Sequence, residues 1–342
     1  MKTSGVLSFV RRLGTRPGLL AFAAALLVAA GSIEGGFPLL AAENARWDFL
    51  RTNLQVFPGT EKLFEPDGKL FWRLRPGLRK VKASEKLPGV EHIFRVSTTA
   101  DGRRVTGKAD AQAPTVLFLG DSCTFGIPVN DRDAFPSRVQ ADLSEKYGLN
   151  IRALNAGVPG YSAFQGRILL EQFAGRAPEV VVITFWLNGQ SIWDHLSDAE
   201  HVELLAAERE GKFSRHRLTR LLRRATPGDR PRLSEEEFIG QLKRMLRWCR
   251  KKGAVPVLQV WPTRRQMSEA GEANRQNAIR RLGREQLVRV VDLVPPFRER
   301  RDPGLFVDSV HCGREGYGLV AETLAPVLAN ILAQKPAAPA RP

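Results

Sequence analysis

Hydrophobic and polar positions divide the chain into two regimes. From Ala113 onward, short apolar, β-branched runs recur at 116–119, 151–154, 180–185, 255–260 and 288–291, with helical stretches between them. Strands that alternate with helices predict an α/β domain over 113–333, a parallel sheet with helices on both faces. One helix start is explicit: Ser234-Glu235-Glu236-Glu237 reads as a capping box, with Phe238, Leu242, Met245, Leu246 and Cys249 following on one face. A last helix is expected from about Glu315 to Leu332. Residues 34–112 read differently, as a small β-rich lead-in. Pro66-Asp67-Gly68 and Pro76-Gly77 mark turns around an aromatic strand, and 92–97 and 103–105 form two more short strands about Asp101-Gly102. The lead-in aromatics are expected to pack on the main domain rather than line a groove.

The N-terminus changes the compartment. Lys2, Arg11, Arg12 and Arg16 precede the apolar run Leu19–Ala30, so residues 1–33 read as a signal peptide or a membrane anchor. Either predicts an exported chain, periplasmic or extracytoplasmic. The Ala- and Pro-rich tail, 334–342, is expected to be disordered. The 43% hydrophobic content excludes global disorder, and the net charge of +16 suits a polyanion, an anionic membrane or merely a solvated basic face. Cys123, Cys249 and Cys312 are too few for a disulfide framework and lack zinc-site spacing. Neither a structural metal nor a cofactor is expected.

The candidate chemistry sits at strand ends. Gly120-Asp121-Ser122 follows the first run of the domain, where open α/β sheets gather their ligands. A serine hydroxyl needs a base, and Asp308-Ser309-Val310-His311 offers an imidazole with a carboxylate three residues away. Asn155-Ala156-Gly157 follows the second run and Asn188 the third. The amides of Ser122, Gly157 and Asn188 are therefore candidate donors to an oxyanion.

These blocks, with Gly316-Tyr317-Gly318 behind His311, resemble the SGNH-type (GDSL-like) hydrolases of the exported or membrane-anchored bacterial kind. The likeness covers about 113–333. It implies a flavodoxin-like three-layer fold with a five-stranded parallel sheet, and it matches Ser122, Gly157, Asn188 and His311 to the residues that name the family. One block departs: Trp186 stands at the family's glycine position and Gly189 at its aspartate position, which weakens the hold on Asn188. The resemblance implies a serine esterase for short-chain O-acyl esters, acetyl included, acting through an acyl-enzyme on a small molecule or a glycan. Two readings stand beside it: an O-acyltransferase acting on an extracytoplasmic glycan, and a non-catalytic, membrane-anchored binding module.

Between the third and fourth strands an insert, about 191–233, carries Lys212, Arg215, Arg217, Arg220, Arg223, Arg224, Arg230 and Arg232 with few acids. It is either a solvated face or a surface for an anionic glycan or a membrane. Nucleic acid is not expected as a partner. His92, His195, His201 and His216 lack partner spacing. Cys123 and Cys312 each follow a proposed catalytic residue and are expected to lie close together, as buried free thiols or as a disulfide.

Overall fold

The computed structural model describes residues 59–87, 90–192, 196–209, 230–268 and 273–334. The expected leader, the start of the lead-in, most of the basic insert and the tail from 335 lie outside these residues.

The lead-in forms two antiparallel hairpins, β1 (Phe64–Asp67) with β2 (Phe71–Leu74) and β3 (Val81–Leu87) with β4 (Val90–Val96). The main sheet follows as β5 (Thr115–Gly120), β6 (Arg152–Gly157), β7 (Val180–Thr184), β8 (Val255–Val260) and β9 (Arg289–Asp292). All its pairings are parallel, in the order β6-β5-β7-β8-β9. The five predicted runs are these five strands. Every residue of β5 and β7 is buried, as helices over both faces require of a central parallel strand.

The helices are α1 (Ser122–Phe125), α2 (Phe135–Tyr147), α3 (Ala163–Glu171), α4 (Asp198–Arg209), α5 (Glu235–Lys252), α6 (Asn274–Glu285), α7 (Val294–Arg300) and α8 (Arg314–Gln334). α2 packs on α8 over one face of the sheet, while α3 and α6 flank α5 over the other. The three-layer order is flavodoxin-like, and the chain reverses direction across the sheet between β5 and β7. That reversal opens a crevice at their carboxyl ends. The capping box of α5 is formed in both directions: Glu237 N–H donates to Ser234 Oγ at 3.1 Å and Ser234 N–H to Glu237 Oε2 at 2.7 Å. Its buried face is the five residues named from the pattern.

The lead-in packs closely against the sheet's carboxyl end. Phe64, Phe71 and Trp72 are buried, and Trp72 Nε1 donates to Pro159 O at 3.0 Å while Tyr161 Oη donates to Trp72 O at 2.6 Å. Its described aromatics are core, Phe94 among them. The strand expected at 103–105 is instead a single pair of bridges from Arg104 to Thr98 and Asn155. Arg104 turns its side chain inward. It donates to Phe125 O, Gly126 O and Val129 O at 2.7, 2.9 and 2.6 Å and to Asp131 Oδ1 at 3.0 Å.

Arg104 therefore satisfies three carbonyls of the segment that follows Ser122. Arg104→Ala is expected to destabilise the protein by about 3–5 kcal/mol, since Val129 O would lose its donor, Phe125 O and Gly126 O one of two each, and Asp131 its cation. Urea unfolding followed by circular dichroism would show this as a lower midpoint.

Candidate active site

β5 delivers Ser122 to the crevice. Asp121 caps α1, its Oδ1 accepting from Cys123 N–H at 3.0 Å, so Ser122 is the first helical residue, with its hydroxyl at the sheet end. His311 arrives from the far edge, 189 residues later, and its Nε2 lies 2.8 Å from Ser122 Oγ. Nδ1 of the same ring lies 2.5 Å from Asp308 Oδ2. Asp308 Oδ1 accepts the amides of Val310 at 2.8 Å and His311 at 2.6 Å, which fixes the carboxylate against the ring. Burial alone would raise the Asp308 carboxyl, but the hydrogen bond and charge of His311 and these two amides together hold it below the ordinary carboxylate range. The three residues brought together by the sequence reading form one hydrogen-bonded chain.

The loop that carries His311 is pinned from β8. Trp261, fully buried just past that strand, donates Nε1–H to Val310 O at 2.9 Å, and Arg264 N–H donates to Ser309 O at 2.9 Å. From α8, Tyr317 Oη donates to Ile127 O at 2.6 Å and ties the helix after His311 to the segment after Ser122. Trp261 escaped the sequence reading because a buried tryptophan beside a strand looks like any core residue. Only its indole N–H, which needs an acceptor, carries the positional information.

The donor side differs from expectation at Gly157. Its N–H already donates to Asn155 Oδ1 at 3.0 Å. The residue is glycine because an added Cβ would stand 2.2 Å from Phe125 N, so it serves the approach of α1 to β6. Gly160, at φ +79°, heads the turn that follows, and its N–H donates to no acceptor among the described residues; the same holds for Ser122 N–H. Asn188 Nδ2 donates to Tyr161 O at 3.1 Å and to Asp121 Oδ2 at 3.3 Å. This places Asn188 beside the Gly160 turn and over the Ser122 cap. The second of those bonds is long and the easier to exchange for another acceptor.

The expected weakening at 186–189 has a structural answer. Arg275, on α6, sends its guanidinium to Trp186 O at 3.2 Å, Gly189 O at 3.3 Å and Leu233 O at 2.5 Å. Desolvation brings Arg275 down to about 10, still a cation at neutral pH. The position next to Asn188 is glycine because a Cβ would press on this guanidinium at 2.7 Å. A cation from outside the loop therefore does the holding that a loop aspartate would do.

The Gly160 turn is held in the same manner by Arg232. This arginine, expected on a basic surface, is fully buried, bonded to Asp198 Oδ1 at 2.8 Å, to Gln165 Oε1 at 2.5 Å and to Gly160 O at 2.8 Å. Arg230 pairs with Glu200 at 3.1 Å. The other basic residues of the insert, 212–224, lie outside the described residues, as do His195 and His216. His201 is buried in the core with Nδ1 3.1 Å from Ser197 O and an edge-on contact to Phe71; His92 lies half-buried on β4.

Cys123, Cys249 and Cys312 are free and buried. Cys123 and Cys312 are near enough to feel each other's charge, but desolvation pushes both thiols well above their ordinary range, and Cys123 Sγ–H donates to Val310 O at 3.7 Å. They are core thiols here, not a disulfide. Among the described residues no group of three His, Cys, Asp or Glu is placed to hold a metal ion.

A family model described as the GDSL-like lipase/acylhydrolase family matches residues 118–319, more than half of the chain. No curated protein matches the chain. Similar solved structures include the acetylxylan esterase Axe2 from Geobacillus stearothermophilus, with 16% identity over 68% of this chain and 100% of that one and a TM-score of 0.42. Another is the lipase/acylhydrolase from Enterococcus faecalis, with 16% identity over 64% and 96% and a TM-score of 0.42. LAE5, an alpha/beta hydrolase enzyme from the metagenome of Lake Arreo, Spain, shares 16% identity over 66% and 99% with a TM-score of 0.46.

Asp121 makes the site sensitive to pH. Desolvation pushes its carboxyl from 3.8 up to about 6, against the pull of Cys123 N–H and His311. A raised carboxyl means that the folded state holds the extra proton, so this contribution to stability is full below about pH 4 and lost as pH rises through about 6. Asp121→Asn removes it: the fall in urea midpoint between about pH 4 and pH 7 should be smaller in the variant than in the parent.

Proposed function

We propose, from the premise that this chain belongs to the GDSL-like lipase/acylhydrolase family and is a serine hydrolase of that class, that Ser122 is its nucleophile, His311 its base and Asp308 the residue that orients and charges the base. The observation that carries this reading is the bond from Ser122 Oγ to His311 Nε2 at 2.8 Å, with Asp308 at 2.5 Å behind the ring. Ser122 attacks the ester carbonyl as His311 takes its proton; the imidazolium formed is stabilised by Asp308 and returns the proton to the leaving alcohol. Water, deprotonated by His311, then releases the acyl group.

The oxyanion meets the N–H groups of Ser122 and Gly160, with Asn188 Nδ2 as a third donor once its long bond to Asp121 is exchanged. Gly160 replaces Gly157 in this role because the Gly157 amide is already spent. The acyl group is short. The Gly160 turn is backed by the Trp72 indole, which would stand 2.9 Å from a Cβ on Gly160, and the bond from Tyr161 Oη to Trp72 O closes that wall. We further propose that the protein acts outside the cytoplasm, as the basic and apolar N-terminus suggests, on O-acyl esters of small molecules or glycans.

Ser122→Ala and His311→Ala should each lower kcat on p-nitrophenyl acetate by about a thousandfold or more, and the double variant should lose little beyond either single one, because the two act as a unit. Asn188→Ala should cost about a hundredfold to a thousandfold in kcat. An acyl series from acetate to a long chain should peak at the short end. Ester hydrolysis equal in the parent and in Ser122→Ala would sink the assignment.

A further inference from the structure

Tyr161 N–H donates to Val158 O at 3.1 Å, which closes a β-turn with Pro159 and Gly160 at its centre, and Gly160 stands at φ +79°. A proline followed by a left-handed glycine is the type II arrangement. A type I turn would differ chiefly by a flip of the central peptide, the one that joins Pro159 C=O to Gly160 N–H. Glycine takes either sign of φ about equally, so Gly160 by itself permits both turns. The choice decides from which face of the turn the Gly160 N–H points.

Trp72 makes that choice. Its Nε1–H donates to Pro159 O at 3.0 Å, and its ring lies against Gly160, where an added Cβ would stand 2.9 Å from Cζ2. In a planar trans peptide the N–H points opposite to the C=O. With Pro159 O turned in to the buried indole, the Gly160 N–H is turned away from it. The same bond polarises the peptide and strengthens the N–H as a donor. The turn stands beside Ser122: Val158 N–H donates to Gly120 O at 3.1 Å, and Asn188 Nδ2 links Tyr161 O at 3.1 Å to Asp121 Oδ2 at 3.3 Å. A flipped peptide would present Pro159 O, an acceptor, where the oxyanion needs a donor.

The indole is itself held firmly. Tyr161 Oη donates to Trp72 O at 2.6 Å, and the two rings meet edge-on at 5.8 Å. Just before Trp72, Phe71 takes φ +69°, a costly conformation for an aromatic residue that persists only where its surroundings impose it. Those surroundings are the Leu70 and Lys69 amides on Asp67 Oδ1, both at 2.8 Å, and Gln165 Nε2 on Leu70 O at 2.8 Å.

We infer that Trp72, which lies in the lead-in and outside the stretch 118–319 matched by the family model, is a positioning residue of the oxyanion hole. It acts through the Pro159–Gly160 peptide, keeping the Gly160 N–H aimed at the oxyanion. This rests on the serine-esterase reading above.

The test uses the full-length chain and Trp72→Phe, which keeps an aromatic ring and removes the N–H. Its kcat on p-nitrophenyl acetate should fall about tenfold with KM within about twofold of the parent. A second readout is inhibition by 1,1,1-trifluoro-2-butanone: Ser122 Oγ adds to its carbonyl as His311 takes the proton, leaving a hemiketal oxyanion in the same place. Its Ki should rise by the same factor of about ten, as a transition-state mimic requires. The acid limb of the pH profile of kcat/KM, which reports His311, should not move. Phe94→Leu, in the other hairpin, should lower the thermal midpoint and change neither kcat nor Ki. Should Trp72→Phe fail to fold, Tyr161→Phe, which releases Trp72 O, should lower kcat and raise Ki together by about threefold. An effect on KM alone, an unchanged Ki, a shifted acid limb, an equal loss in Phe94→Leu, or no effect in Tyr161→Phe where it carries the test, would overturn the inference and leave the esterase reading standing. Equal rates in the parent and Ser122→Ala would overturn both.

Discussion

Backbone groups at the carboxyl end of the sheet must be satisfied without closing the site, and three buried arginines meet that constraint. Arg104 takes the carbonyls after Ser122, Arg232 that of Gly160, and Arg275 those of Trp186 and Gly189. Each of these arginines is at most 6% exposed. Burial lowers all three, yet arginine starts so far above neutral pH that the charge survives, which a lysine in the same place would not ensure. Five donors in a rigid fork let one side chain hold several carbonyls of a turn, and a turn so held cannot drift relative to the next.

This explains how four loops from distant parts of the chain keep hydrogen-bond tolerance. Ser122 and His311 are 189 residues apart in sequence, and their 2.8 Å contact depends on Trp261 and Tyr317 bracing one side and Arg104 the other. The opposite side, which carries Gly160 and Asn188, depends on Arg232 and Arg275. Substitution of the family's aspartate by Gly189 fits the same logic, since the glycine makes room for the guanidinium that replaces the carboxylate as the loop's anchor.

The regions outside the core sheet are part of this bracing. Trp72 from β2 reaches Pro159 and Tyr161, Gln165 Nε2 donates to Leu70 O at 2.8 Å, and the ends of the insert bring Asp198 and Arg232 together under the Gly160 turn. The lead-in is thus continuous with the turn that carries Gly160.

By itself, the sequence determined the five strands, the capped helix at Ser234, the final helix, and Ser122, Asp308 and His311. These are written locally: a strand is a run of apolar residues, a cap is a serine three residues before a glutamate, and a base beside its carboxylate is a four-residue motif. Only the tertiary structure decided which amides are spent and which are available, as at Gly157 and Gly160, because hydrogen-bond occupancy depends on what packs alongside and not on residue type. It also decided that Arg104, Arg232 and Arg275 are interior anchors. In a sequence an arginine or glutamate reads as a solvated charge; whether it is buried, and which carbonyl or ring it meets, is set by chain segments tens to hundreds of residues away.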